Sequence, residues 1–401
     1  MTDILVLGAG YTGIAAAIRA AVRTRRHGGR VTLVNASPRF TERLRLHQTA
    51  AGERLADHSI DEVIAGTGIA FVLGRVTRLD PVRREVTVGE RVLGYDKLIY
   101  ALGSVTDVSV PGVAEHAYDY DDHDQAVRLA ARLRGLDQGV DQGVDQGVDE
   151  GPGKGRDRAT VVVAGGGLTG VESAAELAEA HPGLRVVLLA RGRPGAMMGA
   201  KARAHLDSAL RRLGVEVRDG AVVTKVLPHA VELAGGELIP SDATLWTAGT
   251  RGLPLPEVAG LTVDGRGRVV VDSALRSVSH PDVYAVGDAA AVSQPFGVMH
   301  GTCQGGIPTG LHAADALAAE LRGRTPGAFR FGYVHQPVSL GRRDAVIQFT
   351  HPDDTPRRWY LAGRWAVRYK ETVSSSPMPV YRLLKRGLVP VALFRLSAAL
   401  K

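Results

Sequence analysis

The chain has 401 residues, 45% of them hydrophobic and 23% charged, which makes it too long for one small domain and too apolar for intrinsic disorder. A formal net charge of +7 favours anionic ligands, but no run of interleaved basic and aromatic residues forms a nucleic-acid platform, so no nucleic-acid partner is expected. The single cysteine, Cys303, excludes an internal disulfide, a C-x-x-C redox pair and a cysteine-rich metal site, and no apolar run is long enough to span a bilayer.

In chain order, the strand Ile4-Leu5-Val6-Leu7 opens so early that no signal peptide is expected ahead of it, and the predicted address is cytoplasmic. The strand turns through Gly8-Ala9-Gly10-Tyr11-Thr12-Gly13 into the helix-forming Ile14-Ala15-Ala16-Ala17-Ile18-Arg19. This is the context in which a G-x-G-x-x-G turn holds a dinucleotide. Gly8 makes the bend, Gly10 lets the backbone approach a pyrophosphate, and Gly13 packs the helix close to its strand. The helix N-terminus adds unpaired N–H groups and a partial positive charge. The next strand, Val31-Thr32-Leu33-Val34, ends at Asn35, where an acid usually accepts the ribose hydroxyls. An amide oxygen accepts without the charge, so weaker ribose recognition is expected. Phe71–Val76 and Glu85–Gly89 alternate like exposed hairpin strands, and Lys97–Ala101 is a buried strand that ends at Leu102-Gly103-Ser104.

A second unit begins near residue 116. Within it, residues 135–158 carry Asp-Gln-Gly-Val repeats and a Gly/Pro-rich run with little to bury, which predicts a mobile surface insertion. The strand Thr160–Ala164 then leads into a second fingerprint, Gly165-Gly166-Gly167-Leu168-Thr169-Gly170, and another helix. Its partner strand, Arg185–Leu189, puts Ala190 at the acid position, followed by Arg191 and Arg193. A carboxylate there repels a 2′-phosphate and an arginine pairs with one, so the pattern leans towards NADPH over NADH. Plain solvation of both arginines is the equal alternative. Glu172, two residues beyond the fingerprint, either orients a nicotinamide or compensates the helix dipole.

Leu245-Trp246-Thr247-Ala248-Gly249-Thr250 returns the chain to the first unit, and Val283–Asp288 is a buried strand ending in a carboxylate. Asp288 suits a ribose or ribityl hydroxyl, and equally a helix N-cap. Helical spacing sets in from Pro308 to Leu321. From Met378 the tail carries Arg382, Lys385, Arg386, Arg395 and Lys401 and no acid, interleaved with leucines and aromatics. Such a tail lies in a lipid interface, or packs on the protein or at a homodimer seam.

Taken together, Gly8–Gly13, Gly165–Gly170, Trp246–Gly249 and Val283–Asp288 resemble the pyridine nucleotide–disulfide oxidoreductase superfamily of FAD enzymes. Without a redox cysteine pair, the likeness is to the branch of type II NADH dehydrogenases and apoptosis-inducing-factor-like reductases. The C-terminal segments Ser339–Asp344, Ala362-Gly363-Arg364 and Tyr369-Lys370-Glu371 are similar to that branch as well. The resemblance implies an α/β fold with two Rossmann-like domains. The FAD domain would span 1–115 and 246–322, the NAD(P)H domain 116–245, and a small α+β domain 323–401. It implies flavin contacts from Gly8, Gly10, Thr12, Gly13, Asn35, Arg43, Val76, Ala101, Gly103, Gly249, Gly287 and Asp288. Nucleotide contacts are implied for Gly165, Gly167, Leu168, Gly170 and Arg191.

Three residues are expected at the reacting centre: Glu172, Gln304 and His47, the last falling where relatives approach the isoalloxazine. In quinone-reducing members a second glutamine follows four positions after the first; here that place holds Pro308. The expected activity is hydride transfer from NADPH or NADH to FAD N5, then electron delivery to a quinone or another small acceptor. No metal is required. A flavin-dependent tailoring enzyme acting on a secondary metabolite, and a redox sensor without fast turnover, are the alternatives. Peripheral membrane contact through 378–401 accompanies the leading reading.

Overall fold

The computed structural model describes residues 1–139 and 158–388. Its first layer is a five-stranded parallel sheet of β1 (Thr2–Leu7), β2 (Gly29–Asn35), β3 (Ala70–Leu73), β4 (Lys97–Tyr100) and a strand from late in the chain, Val283–Ala285. The spatial order places Val283–Ala285 at one edge, then β4, β1, β2 and β3. Helix α1 (Tyr11–Thr24) packs on this sheet with an almost wholly buried apolar face, as the run Ile14–Ile18 requires. A short helix, α2 (Leu46–Ala50), follows.

Helix α3 (His123–Asp137) leads to a second five-stranded parallel sheet. Its strands include β5 (Thr160–Ala164), β6 (Arg185–Ala190), β7 (Glu216–Asp219) and β8 (Ala243–Trp246), with Ala117–Tyr118 at the edge beside β8. Helix α4 (Leu168–Ala180) follows β5. Both sheets read as near-continuous β-branched or leucine-rich strands because parallel sheets are covered on both faces. Strand β9 (Val283–Ala285) pairs with β4 in parallel, so the chain re-enters the first sheet after completing the second.

Helix α5 (Cys303–Glu320) crosses α1. The crossing is close because Gly306 and Gly310 face Thr12, where any added methyl would meet Thr12 atoms at 2.6 Å. The Arg19 guanidinium is almost fully buried and forms two hydrogen bonds with Asp315 of α5, at 2.8 and 2.9 Å. Beyond α5 lies an antiparallel meander of β10 (His335–Ser339), β11 (Ala345–Thr350) and β12 (Pro356–Ala362). Helices α6 (Arg364–Ser375) and α7 (Pro377–Lys385) complete the described chain.

Three local expectations change, and packing on the protein, one alternative for the start of the basic tail, is what the structure has. The stretch Phe71–Val76 is not one hairpin strand: it breaks at Gly74-Arg75, so Ala70–Leu73 joins the parallel sheet while Val76–Asp80 pairs with Glu85–Val88. Helix α5 starts at Cys303, five residues before Pro308, because Thr302 caps it by accepting from the Gly305 N–H at 3.2 Å. Helix α3 runs to Asp137, inside the expected insertion; the remaining Asp-Gln-Gly-Val repeats lie outside the described residues. The first part of the basic tail is helix α7, packed on α1 with Tyr381 and Leu384 buried in the first core. The Tyr381 hydroxyl donates to the Tyr11 carbonyl at 2.8 Å. Arg395 and Lys401 lie outside the described residues.

Candidate functional site

The first glycine turn, the ends of β4 and β9, the start of α5 and the start of α4 converge on one cavity of about 460 Å³. That volume lies in the range of small-molecule and cofactor sites. Its lining includes Gly8, Gly10, Thr12, Asn35, Arg43, His47, Ala101, Gly103, Glu172, Gly249, Gly287 and Asp288. A dozen sequence-predicted residues from seven separate segments thus share one wall. Gly13, Val76 and Gln304 are not among the lining residues, nor are Gly165, Gly167, Leu168, Gly170 and Arg191 of the second unit.

The glycines of the first turn divide by cause. A methyl on Gly13 would overlap the Gly8 carbonyl oxygen, and one on Gly8 would meet the Ala101 carbonyl, so both are required by packing. Gly10 has φ −75° and ψ −173°, which any residue adopts, and a methyl there would meet no atom within 4 Å. Neither strain nor packing asks for glycine at this position. The space beside its backbone is open to the cavity. Gly167 in the second turn repeats the pattern, with φ −69°, ψ 173° and no neighbour within 4 Å. Gly170 and Gly165, by contrast, are packed against each other and against Thr247.

Helices α1 and α4 both start without a side-chain cap and without an acid in the first turn. Each therefore presents uncompensated N–H groups and the positive end of its dipole, which suits a pyrophosphate. Asn35 serves the first turn directly: its Oδ1 accepts from the Ala9 N–H and its Nδ2 donates to the Ser37 carbonyl, both at 2.9 Å. The amide shapes the phosphate loop while lining the cavity. Arg43 is held by the Ser104 carbonyl at 2.6 Å and by Asp121 at 3.0 Å. Asp288 is no helix cap; its Oδ2 accepts from the Ser104 hydroxyl at 3.3 Å, and Thr302 performs the capping of α5.

The polar centre of the wall is Glu172. It lies beyond the first turn of α4, and its carboxylate turns away from its own helix end. It accepts from the Ser339 N–H at 2.9 Å and pairs with the Lys370 ammonium at 2.7 Å. Burial pushes the Glu172 carboxyl up, but the Lys370 charge and the Ser339 amide outweigh that and hold it below the ordinary carboxylate value. His47 is buried, and burial lowers its imidazole to about 4, so it is neutral at pH 7. Its Nε2 and the indole Nε1 of Trp246 are buried with no protein partner, and both residues line the cavity. Orphaned buried polar atoms at a cavity wall are the mark of a ligand that completes them. These atoms, with the vacant sides of Gly10 and Gly167, fit a dinucleotide flavin approached by a second nucleotide.

Gln304 has a different task. Its Nε2 donates to the His335 carbonyl at 3.0 Å and its Oε1 accepts from the Val334 N–H at 2.7 Å, which clamps the start of α5 to β10. At the second turn, Arg191 is exposed and no ion pair is recorded for it among the described residues, whereas Arg193 is tied to Asp207 at 2.7 Å. Lys370 was read only as part of a C-terminal segment and given no role, because a lysine on a half-buried helix gives no local signal of its partner. The Gly305-Gly306-x-x-x-Gly310 spacing, in contrast, could have announced the close crossing of α5 over α1.

The family model for pyridine nucleotide-disulphide oxidoreductases matches residues 2–316. An NADH dehydrogenase-like protein of Mycobacterium tuberculosis is 33% identical over 368 residues, 86% of this chain and 87% of the relative. A type II NADH:quinone oxidoreductase of Staphylococcus epidermidis is 26% identical over 366 residues, 86% of this chain and 88% of its own. Among solved structures, NDH2 of Plasmodium falciparum in complex with NADH superposes with a TM-score of 0.77 at 15% identity, covering 97% of this chain and 99% of the other.

Proposed function

The chain belongs to the pyridine nucleotide-disulphide oxidoreductase family, and from that premise we propose that it is an FAD-dependent NAD(P)H dehydrogenase that reduces a small two-electron acceptor of the quinone class. A bound flavin would supply two-electron transfer between a nicotinamide and an acceptor, chemistry that no side chain supplies. The observation that carries this reading is the single cavity on which the first glycine turn, Asp288, Glu172 and the unpartnered His47 and Trp246 nitrogens converge. The names of the relatives, NADH dehydrogenase-like and type II NADH:quinone oxidoreductase, support the donor and the acceptor class.

The chain's own residues do the positioning. Gly8, Gly10 and Gly13 with the start of α1 hold the flavin pyrophosphate, and Asp288 receives a ribityl hydroxyl. The α5 N-terminus, at Gly301 and Thr302 on the cavity wall, stabilises negative charge on the flavin ring. Glu172, ionised and fixed by Lys370, orients the nicotinamide carboxamide from the α4 side. His47, neutral and with a free Nε2, completes the wall beside it. Mixing purified enzyme with NADH or NADPH in a stopped-flow cell tests the reading, followed by re-oxidation with menadione. Bleaching of the flavin by neither nucleotide would sink it.

NADPH is the proposed preferred donor, with Arg191 pairing to the 2′-phosphate. Of the two arginines beyond Ala190, Arg191 is the one not engaged by an acid. A charge-assisted hydrogen bond is worth about 1.5–3 kcal/mol, so Arg191→Ala should lower kcat/KM for NADPH about 10- to 100-fold and leave NADH unchanged. Equal losses for both donors would remove Arg191 from the 2′-phosphate site.

Peripheral membrane contact is proposed through the outer face of α7 and the residues after it. No described helix is long and apolar enough to cross a bilayer. Removing residues 378–401 would strip Tyr381 and Leu384 from the core, so charge reversal is the cleaner probe. Arg382 and Arg386 are exposed. Reversing both to glutamate should weaken binding to anionic liposomes about tenfold or more, at about 1 kcal/mol per basic residue near an anionic surface. Cosedimentation equal to the wild type would dismiss the membrane role.

A further inference from the structure

Helix α4 carries a second buried carboxylate one turn beyond the cavity. Glu172 and Glu176 stand four apart on one face, and only 3% of Glu176 is exposed. The Arg342 Nε pairs with Glu176, while its Nη2 pairs with Glu53, whose side chain is 43% exposed. The Arg342 backbone N–H donates to Glu179, the next acid along α4. Gly341 makes that approach feasible: it has φ +81°, and a methyl there would meet Glu179 Oε2 at 2.6 Å. Acids thus run from the cavity wall through a buried station to solvent, with one guanidinium bracing the outer half.

Resting on the dehydrogenase reading above, we propose that Glu176 is the proton-exchange station of this enzyme, passing protons from solvent at Glu53 to the Glu172 side of the cavity. The chemistry requires such a route. A nicotinamide hydride carries two electrons and one proton, whereas a quinone-class acceptor A takes up two of each. The balance is NAD(P)H + H⁺ + A → NAD(P)⁺ + AH₂, with one solvent proton consumed per turnover. Glu176 gives its carboxyl proton inward and regains one from solvent past Glu53, so it ends each cycle as it began. The Cβ atoms of residues four apart on a helix lie about 5–6 Å from each other, which keeps the two carboxyl groups on one face of α4.

The surroundings of Glu176 suit a group that changes protonation in use. Burial raises its carboxyl to about 7, with Glu53, Glu179 and Glu172 adding to the rise and Arg342 opposing it. Tyr120, on the cavity wall, also faces it, and burial keeps that phenol protonated. Both forms of Glu176 are therefore accessible near neutrality, one favoured by burial and the other by Arg342.

The test uses the full-length holoenzyme and Glu176→Gln, in stopped flow with each half-reaction resolved. Flavin reduction by NAD(P)H should stay within about twofold, while re-oxidation by menadione falls about 10- to 100-fold. Wild-type re-oxidation should slow above pH 7 as Glu176 loses its proton, and the variant should be flat. In the infrared spectrum of the oxidised protein, a protonated-carboxyl band titrating near pH 7 should vanish in E176Q. Unchanged re-oxidation and pH profile in E176Q would overturn the relay, as would equal slowing of both half-reactions. If E176Q loses its flavin, Glu176→Asp decides: a displaced pH profile supports the relay, and an unmoved one overturns it. A wild type that accepts electrons from neither nucleotide fails the functional reading itself, and the relay with it.

Discussion

Gly10→Val should yield a folded protein purified without its flavin, and Gly167→Val a yellow protein that NAD(P)H no longer bleaches. Each glycine has extended backbone angles that valine adopts readily, and each faces space in which a side chain meets no protein atom. Valine there costs about 1 kcal/mol or less through poorer helix capping, because both positions are N-caps. It also fills the cradle and separates the helix N–H groups from a phosphate. Losing two charge-assisted hydrogen bonds at about 1.5–3 kcal/mol each weakens binding about 100- to 10,000-fold. Flavin absorbance of the purified proteins, circular dichroism and photoreduction of the G167V flavin separate the outcomes. A fully flavin-loaded G10V would refute the first turn as the flavin cradle, and exchange of the two phenotypes would swap the assignments. Gly13→Ala is the contrasting control: its methyl overlaps the Gly8 carbonyl, so the fold itself should fail.

That contrast also marks how far the sequence carries. Strand, turn and helix around Gly8–Gly13 and Gly165–Gly170 were legible because the signal is local: β-branched runs, glycine spacing and helix-forming residues lie within twenty positions of one another. The cavity wall was largely legible too, since Asp288, Gly249 and Gly103 each end a strand whose apolar run is visible. Non-local pairing was not legible. Nothing around Lys370 says that its ammonium meets Glu172, because the two are brought together by β10, through the Ser339 amide on one side and the Pro337 carbonyl on the other. Gln304 shows the opposite failure. A motif position promised chemistry, but the carboxamide is spent on the backbone of Val334 and His335. The start of α5 was misplaced for a third reason. Helical periodicity is visible only where apolar residues recur, and Cys303–Ile307 is a glycine-rich turn held in the helix by the Thr302 cap.

The second large effect is expected from Lys370→Met. Glu172 would keep its Ser339 hydrogen bond but lose its counter-ion at a site where both side chains are at least 86% buried. Leaving one member of a buried pair uncompensated costs about 3–5 kcal/mol. The sign with pH follows from the Glu172 carboxyl. In the wild type it is held below the ordinary carboxylate value, so its contribution is present above the unfolded pKa and is lost as pH falls through the folded one. In K370M only His47 and the Ser339 amide are left to oppose burial, the carboxyl moves up, and a proton takes over the neutralising role as the solution is acidified. The deficit relative to wild type should be full at pH 8 and shrink progressively towards pH 5. The pH dependence of flavin reduction by nucleotide should move upward relative to the wild type, because the Glu172 carboxyl on the cavity wall loses the charge that holds it down. The double variant Glu172→Gln, Lys370→Met should recover most of the lost stability, since removing both charges removes the desolvation each must bear. Urea denaturation of the three variants across that pH range measures the effect. A K370M deficit that is independent of pH and not relieved in the double variant would show that Lys370 acts through packing of its stem, and that Glu172 does not depend on it for its charge.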